Sequence, residues 1–343
     1  MIYTDLIQRD RTRLLAELQE RIPYGTRYAF MEFPNYGNVG DTAIWLGALE
    51  LLKEATGQFP SYLATNREYH RKALEDALPE GPIVLQGGGN FGDIHGWAQQ
   101  FRERVIAENT GRRIIQMPQS IKYLDLSAAG RTAKILSRHP DFHMLVRDNN
   151  SLEFAKQHLG VSAKLAPDCA FGLGPLTRRT RIQHDVVSLL RHDEEMVQHD
   201  LSEHRRLNGP DPVDWITDPE GFEARSFRYG KVKSLFEGKF NWPARKLAIY
   251  RHQASSRLER GLRILSTGKY VLTDRLHAHI LTTLLGIPHV CLDNNYGKIH
   301  SYIDAFTHDF DGVFKASTMK EAVDIVQSLS SDTPYEVVEG SKS

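Results

Sequence analysis

The strongest constraint on this chain is an alternation. The runs Arg27–Phe33 (RYAFMEF), Ile83–Gln86 (IVLQ), Arg113–Met117 (RIIQM) and Phe142–Val146 (FHMLV) are short and mostly apolar, and each leads into a stretch with helical spacing, near 41–55, 96–109, 127–137 and 149–158. Strands that alternate with helices run parallel, because each crossover helix returns the chain to the same end of the sheet. A second series, Asp185–Leu190, Tyr270–Thr273 and His289–Leu292, with helical patterns near 252–267, 276–286 and 318–329, predicts a second α/β unit. Between them Phe171–Gln183 (FGLGPLTRRTRIQ) has glycines, a proline and three arginines without apolar periodicity, as a linker would. At 343 residues the chain is too long for one ordinary core. The expectation is therefore two domains, 1–177 and 178–343, the second carrying an insertion near 196–250. Ile7, Leu14, Leu18 and Ile22 share one helical face and predict an amphipathic entry helix capped by Thr4 or Asp5.

Chemistry-bearing residues gather just past the strand ends, where open parallel sheets bind ligands. After the first strand comes Asn35–Ala43 (NYGNVGDTA), in which Gly37 and Gly40 let backbone N–H groups approach an anion at a helix start, alongside Asn38. Asp41 in the same turn would repel an anion, so it serves as helix cap, base or partner of a sugar hydroxyl. After the next strand, Leu85–Asp93 (LQGGGNFGD) puts three glycines, Gly87, Gly88 and Gly89, in a row. Their cost in chain entropy points to close backbone approach or positive φ. Asn90, Asp93 and His95 add hydrogen-bonding and proton-transfer groups. Arg147 ends a further strand, and Asp274, Arg275, His277 and His279 leave the strand Tyr270–Thr273. The two histidines stand two apart, not at the i, i+4 spacing of a helical zinc pair, so no metal is expected. Tyr296 and Lys298 follow the next strand.

Lys plus Arg and Asp plus Glu both number 43, so no global field favours nucleic acid, and an anionic partner has to be met locally. The two cysteines, Cys169 and Cys291, lie far apart in apolar contexts and give neither a disulfide framework nor a metal spacing. With no apolar signal core at the N-terminus and no long apolar run, a cytoplasmic location is expected.

The motifs together resemble the polysaccharide pyruvyltransferases. The resemblance rests on residues 35–43 and 85–93, on Leu145–Phe154 (LVRDNNSLEF), Ala166–Phe171 (APDCAF), Leu189–Glu195 (LLRHDEE), Asp274–Ile280 (DRLHAHI) and Asn294–Ile299 (NNYGKI), in order over roughly 25–305. It implies two Rossmann-like halves facing a cleft, the glycosyltransferase-B-like arrangement of a bacterial enzyme. It also implies transfer of pyruvate from phosphoenolpyruvate to a sugar of an exopolysaccharide or cell-surface glycan as a ketal. Arg275, Leu276, His277 and Arg147 would contact the donor. No cofactor is implied beyond phosphoenolpyruvate as co-substrate, and the acceptor would be a lipid-linked oligosaccharide. The segment between Glu195 and about 252 does not follow the family pattern.

The residue types suit this chemistry. Phosphoenolpyruvate carries a carboxylate and a phosphate on one small frame, and Arg147, Arg275 and Lys298 offer cations, with Gly88, Gly89 and Asn90 beside them. Proton delivery to the methylene carbon suits an imidazole, which makes His277 the expected acid, with Asp41 or Asp93 as base. Asn38 and His95 would contact the acceptor, and Arg191, Asp193 and Glu195 would contact it or close the cleft. A nucleotide-sugar glycosyltransferase is the alternative, disfavoured because the second sheet edge reads as basic and histidine-bearing; a non-catalytic glycan-binding protein of the same fold is the other. Residues 222–251 hold eight Lys or Arg against two Glu among seven aromatics. They suggest peripheral contact with an anionic membrane surface, at the inner membrane face. The sequence leaves homo-oligomer formation, the acceptor sugar and the ketal configuration open.

Overall fold

The computed structural model describes residues 1–193, 196–207, 209–236, 241–293 and 297–331. Glu195 and Tyr296 therefore lie outside the described residues. The chain forms two compact units, one of residues 9–173 and 217–258, the other of 1–8, 174–216 and 259 onward.

The larger unit is built on a seven-stranded sheet with the order β2-β1-β3-β5-β6-β7, β4 pairing with β5 off this path. The strands are β1 Ala29–Met31, β2 Tyr62–Ala64, β3 Ile83–Leu85, β4 Gly88–Phe91, β5 Ile114–Ile121, β6 Phe142–Val146 and β7 Ala163–Leu165. Every pairing is parallel, as the alternation requires. The helices Val39–Thr56, Gly96–Glu108, Leu126–Leu136 and Asn149–Phe154 follow the predicted spans within two residues at their starts. β1, β3 and most of β5 and β6 are buried without alternation, which marks a sheet covered on both faces.

Residues 217–258 pack on this same unit. Tyr250 stacks on Phe33 with ring centroids 3.9 Å apart and donates its hydroxyl to Glu68. Burial and the neighbouring Glu68 charge both push that hydroxyl well above the usual tyrosine range. Buried Arg257 pairs with Asp218 at 2.7 Å and donates to the Pro34 carbonyl at 3.3 Å. The expected insertion near 196–250 is thus shared between the units, and 217–258 belongs with the residues of the first.

The smaller unit holds a four-stranded parallel sheet ordered β11-β10-β9-β8, formed by β8 His184–Leu189, β9 Gly268–Thr273, β10 His289–Leu292 and β11 Val313–Ala316. Its core gathers Val186, Tyr270, Leu272, Val290 and Leu292 with Ala322, Val323 and Val326 of the last described helix. The entry helix spans Tyr3–Arg21, so Thr4 and Asp5 lie inside its first turn rather than capping it.

Candidate active site

In the larger unit β1 sits between β2 and β3, so the chain leaves β1 toward one side of the sheet and β3 toward the other. That reversal opens a crevice beyond the strand ends. Both glycine-rich loops start there. Asn38 caps the helix Val39–Thr56, its side chain accepting from the Gly40 N–H at 3.0 Å. Asp41, weighed above as a cap, is instead left in the first turn, where Oδ2 accepts from the Tyr36 hydroxyl at 2.9 Å and the Asn38 amide at 3.0 Å. Gly88 has φ 137°, and a Cβ on it would stand 3.7 Å from Asp41 Oδ1 and 4.0 Å from Gln119 Oε1. The missing side chain thus leaves space beside a carboxylate oxygen and an amide oxygen.

The surroundings of that space are rich in acceptors. The Oε1 atoms of Gln86, Gln116 and Gln119 are buried without a partner among the described residues, while their amide groups donate to the Asp41 and Gln86 carbonyls. Buried acceptors in this state are satisfied by ordered water or by a ligand's hydroxyls. Tyr36 meets Trp97 edge to face at 6.5 Å, and Trp97 is half exposed, which gives an apolar platform at the same loop.

Behind these groups stands an ion pair not foreseen from the sequence. Glu32 follows β1 with φ 68°, a left-handed conformation rare for a residue with a side chain. Its carboxylate is gripped by fully buried Arg102 through Nε at 2.9 Å and Nη2 at 2.9 Å. Arg102 also donates to the Asn90 carbonyl at 2.9 Å and to Asn90 Oδ1 at 2.6 Å. Burial pushes the Glu32 carboxyl above its ordinary range, opposed by Arg102. Asn90, expected at the donor, is in this way fixed by an arginine within its own unit, beside partly exposed Gly89.

Asp93 and Arg147 are engaged internally. Asp93 accepts the Leu124 N–H at 2.7 Å and the Asp125 N–H at 2.8 Å, so both its oxygens hold a neighbouring loop. Buried Arg147 pairs with buried Asp168 and donates from Nε to Ser120 Oγ at 3.0 Å. Asp168 in turn accepts the Ala170 N–H at 2.8 Å. Asp93 is partly exposed and holds two backbone donors, whereas Arg147 is buried, and a buried charge requires a fixed partner. His95 starts the helix Gly96–Glu108 with no capping bond from its side chain and is partly exposed.

In the smaller unit the carboxyl ends of β8, β9 and β10 carry the remaining candidates. Arg275 is the N-cap of the helix Leu276–Leu284; its own side chain makes no capping bond, and its N–H donates to the Thr273 hydroxyl at 3.0 Å. It is 5% exposed, and its Nη2 reaches Asp193 at 2.8 Å and Asp214 at 2.6 Å, while buried Nε has no partner among the described residues. Arg191 pairs with Asp193 at 2.8 Å, and its N–H donates to Asp274 at 2.8 Å. The edge that reads as basic in sequence is charge-balanced, because Asp214, distant in sequence, folds onto Arg275. Lys298 opens the helix Lys298–Tyr302 and is partly exposed.

Burial alone would raise the Asp193 carboxyl, but the Arg191 hydrogen bonds and the Arg275 charge outweigh it and hold it at about 2, below the ordinary aspartate value. The folded value is depressed, so this stabilisation is present above the unfolded value and is lost as pH falls from about 4 toward about 2. We expect Asp193→Asn to lose about 2 kcal/mol at neutral pH relative to wild type, with the difference shrinking over that acid window in urea unfolding curves. A difference independent of pH would contradict this origin.

His277 differs from its neighbours. From Tyr270 to Leu285 every residue is buried except His277, which is partly exposed in the first turn of its helix. His279, two positions on, points the other way. His289 Nδ1 donates to the Ile287 carbonyl at 2.8 Å, which leaves its Nε2 as acceptor for His279 Nδ1 at 2.7 Å; His279 Nε2 then accepts from Thr307 at 2.9 Å. Burial lowers His279 well below its ordinary value, and it lowers His289 to about 4, so both rings stay neutral near pH 7. These two rings and Cys291 lie within 4.8 Å of one another, an arrangement with metal-ligand types. The hydrogen bonds account for all four ring nitrogens, and 2.7 Å is well under the roughly 3.3 Å that two nitrogens sharing a tetrahedral zinc require.

A family model described as polysaccharide pyruvyl transferase matches residues 38–296. Pyruvyl transferase 1 of Schizosaccharomyces pombe is 30% identical over 324 residues, covering 88% of this chain and 75% of its own. EpsO of Bacillus subtilis is 29% identical over 84% of this chain and 88% of its own length. Among solved structures, an uncharacterized protein from Klebsiella pneumoniae superposes with a TM-score of 0.56 at 18% identity, covering 92% of this chain and all of that one, a likeness of fold alone.

Proposed function

Since the chain belongs to the polysaccharide pyruvyl transferase family, we propose that it moves pyruvate from phosphoenolpyruvate onto two hydroxyls of one glycan sugar, forming a cyclic ketal and releasing phosphate. The observation that carries this reading is His277, partly exposed in an otherwise buried stretch, in the first turn of a helix whose N-cap side chain makes no capping bond. Helix N-termini favour anions, so the donor's charged groups would meet the first turn at Leu276 and His277, the Nε of Arg275, and Lys298. The pairing of Arg275 with two aspartates fixes its guanidinium plane, which orients that donor group.

His277 delivers a proton to the methylene carbon, which becomes the methyl group, and one sugar hydroxyl adds to the electron-poor C2. The C2–O bond to phosphate breaks, and the second hydroxyl closes the ketal. Of the two hydroxyl protons, one restores the imidazolium and the other leaves with phosphate. In the larger unit Asp41 suits the acceptor hydroxyl better than Asp93, whose two oxygens are occupied by backbone N–H groups. Asp41 Oδ1 borders the gap at Gly88, with the oxygens of Gln86 and Gln119 as further hydroxyl acceptors. Asn38 holds the other Asp41 oxygen.

A nucleotide-sugar glycosyltransferase is the second reading, and the carboxylates at the β8 and β9 ends give it a sugar-binding feature that the sequence hides. The family match favours pyruvyl transfer. Incubating the protein with phosphoenolpyruvate and lipid-linked oligosaccharides decides between them: phosphate release that depends on the oligosaccharide supports the proposal, and turnover of a nucleotide sugar with no phosphate release from phosphoenolpyruvate overturns it.

A further inference from the structure

The helix Phe222–Phe236 is inside out. Its buried positions are the small residues Ser226, Gly230 and Ser234, spaced by four, and a Cβ on Gly230 would come within 3.1 Å of the Ile249 backbone in the neighbouring helix Trp242–Ser266. The close approach of the two helices uses up that narrow stripe. On the opposite face Val232 is 53% exposed, Leu235 45% and Phe236 88%. Arg225, Arg228 and Lys231 project from the same side of the helical wheel.

A soluble helix normally buries its large apolar residues and exposes its small polar ones. Here the free energy of burial remains unspent on the outer face. No ion pair with Arg225, Arg228 or Lys231 occurs among the described residues, and the one acid of the helix, Glu223, accepts from Asn35 at 2.7 Å. Apolar side chains flanked by unneutralised cations are complementary to a surface that is anionic at its rim and apolar beneath. No helix among the described residues is long and apolar enough to cross a membrane.

We propose that the helix Phe222–Phe236 docks the protein on an anionic lipid surface. Val232, Leu235 and Phe236 enter the acyl boundary, and Arg225, Arg228 and Lys231 sit among the headgroups. This inference is independent of the pyruvyl transfer reading, since it concerns a face that carries none of the residues assigned to the reaction.

The test is co-sedimentation of the full chain with vesicles of phosphatidylcholine alone and of phosphatidylcholine with phosphatidylglycerol, at low and high salt. Binding to the anionic vesicles that weakens with salt is expected. Each cation near such a surface contributes about fivefold in partitioning, so Arg228→Gln with Lys231→Gln should weaken binding by about 25-fold. Leu235→Ser with Phe236→Ser should weaken it by at least about tenfold. All four side chains are exposed, so circular dichroism of the variants should match wild type. Equal binding to neutral and anionic vesicles at low salt, no binding to either, or variants that bind like wild type would overturn the proposal. Loss of a dimer in the Leu235 and Phe236 variant, without vesicle binding by wild type, would assign the face to a second copy instead.

Discussion

His277→Ala is expected to lower kcat by about 100- to 10,000-fold while changing the KM for phosphoenolpyruvate little. The split follows from the role assigned: a group that transfers a proton in the transition state contributes to kcat, whereas one that holds the donor equally before and during reaction contributes to KM. The side chain is partly exposed at a helix start, so its truncation leaves no cavity in the core and the variant should unfold like wild type. His279→Ala should behave in the opposite way. That ring is buried between His289 and Thr307, and its loss strands His289 Nε2 without its donor, so the penalty falls on stability. Steady-state kinetics with phosphate detection, paired with urea unfolding, separates the two. A His277→Ala enzyme with near-normal kcat at saturating donor would remove the proposed acid.

The second large effect concerns Arg102. Arg102→Met leaves the Glu32 carboxylate buried without its cation and takes a donor from each Asn90 oxygen, Oδ1 keeping only the Gln119 amide at 3.2 Å, so it should cost about 3–5 kcal/mol of stability at neutral pH. The sign of its pH dependence is fixed. Burial already raises the Glu32 carboxyl, and losing Arg102 removes the main opposing influence. A carboxyl with a raised folded value destabilises as pH climbs above the unfolded value of about 4, where only the unfolded chain ionises freely. The deficit of the variant should therefore be smallest below pH 4 and grow toward pH 8 in equilibrium urea unfolding. Adding Glu32→Gln to Arg102→Met should recover part of the loss, because it removes the stranded charge. A deficit that is flat with pH, or no recovery in the double variant, would mean the pair does not hold this loop.

What the sequence revealed and what it hid have physical reasons. β1, β3, β5, β6 and the first three strands of the smaller sheet are apolar runs next to clear helical spacing, and they read directly. β2, β7 and β11 have three or four residues each and no contrast with their surroundings. β4 is Gly-Gly-Asn-Phe, a composition that reads as loop, although Gly88 at positive φ still allows a pairing with β5. The strand-end clusters were legible because ligand chemistry in parallel sheets concentrates there. Their internal wiring was not. Asp214 and Arg275 are 61 positions apart, and Glu32 and Arg102 are 70 apart, so no local pattern connects them. Arg102 looks like one charge among several in a helix, and only its complete burial marks it as structural. His277 and His279 look alike in sequence; helical geometry sends one to the surface and the other into the core. The return of 217–258 to the larger unit depends on Phe33, Tyr250 and Arg257 meeting across more than 200 residues, which no periodicity announces.

If His277 protonates the carbon of the donor during pyruvyl transfer, solvent hydrogen enters the product methyl group. Running the reaction in deuterium oxide with phosphoenolpyruvate and an oligosaccharide acceptor, and reading the ketal methyl group by NMR and mass spectrometry, tests it most directly. One deuterium is expected in each product methyl, formed at a rate that falls with phosphate release in His277→Ala. A product methyl with no solvent deuterium, or a His277→Ala enzyme that labels and releases phosphate at the wild-type rate, would contradict it.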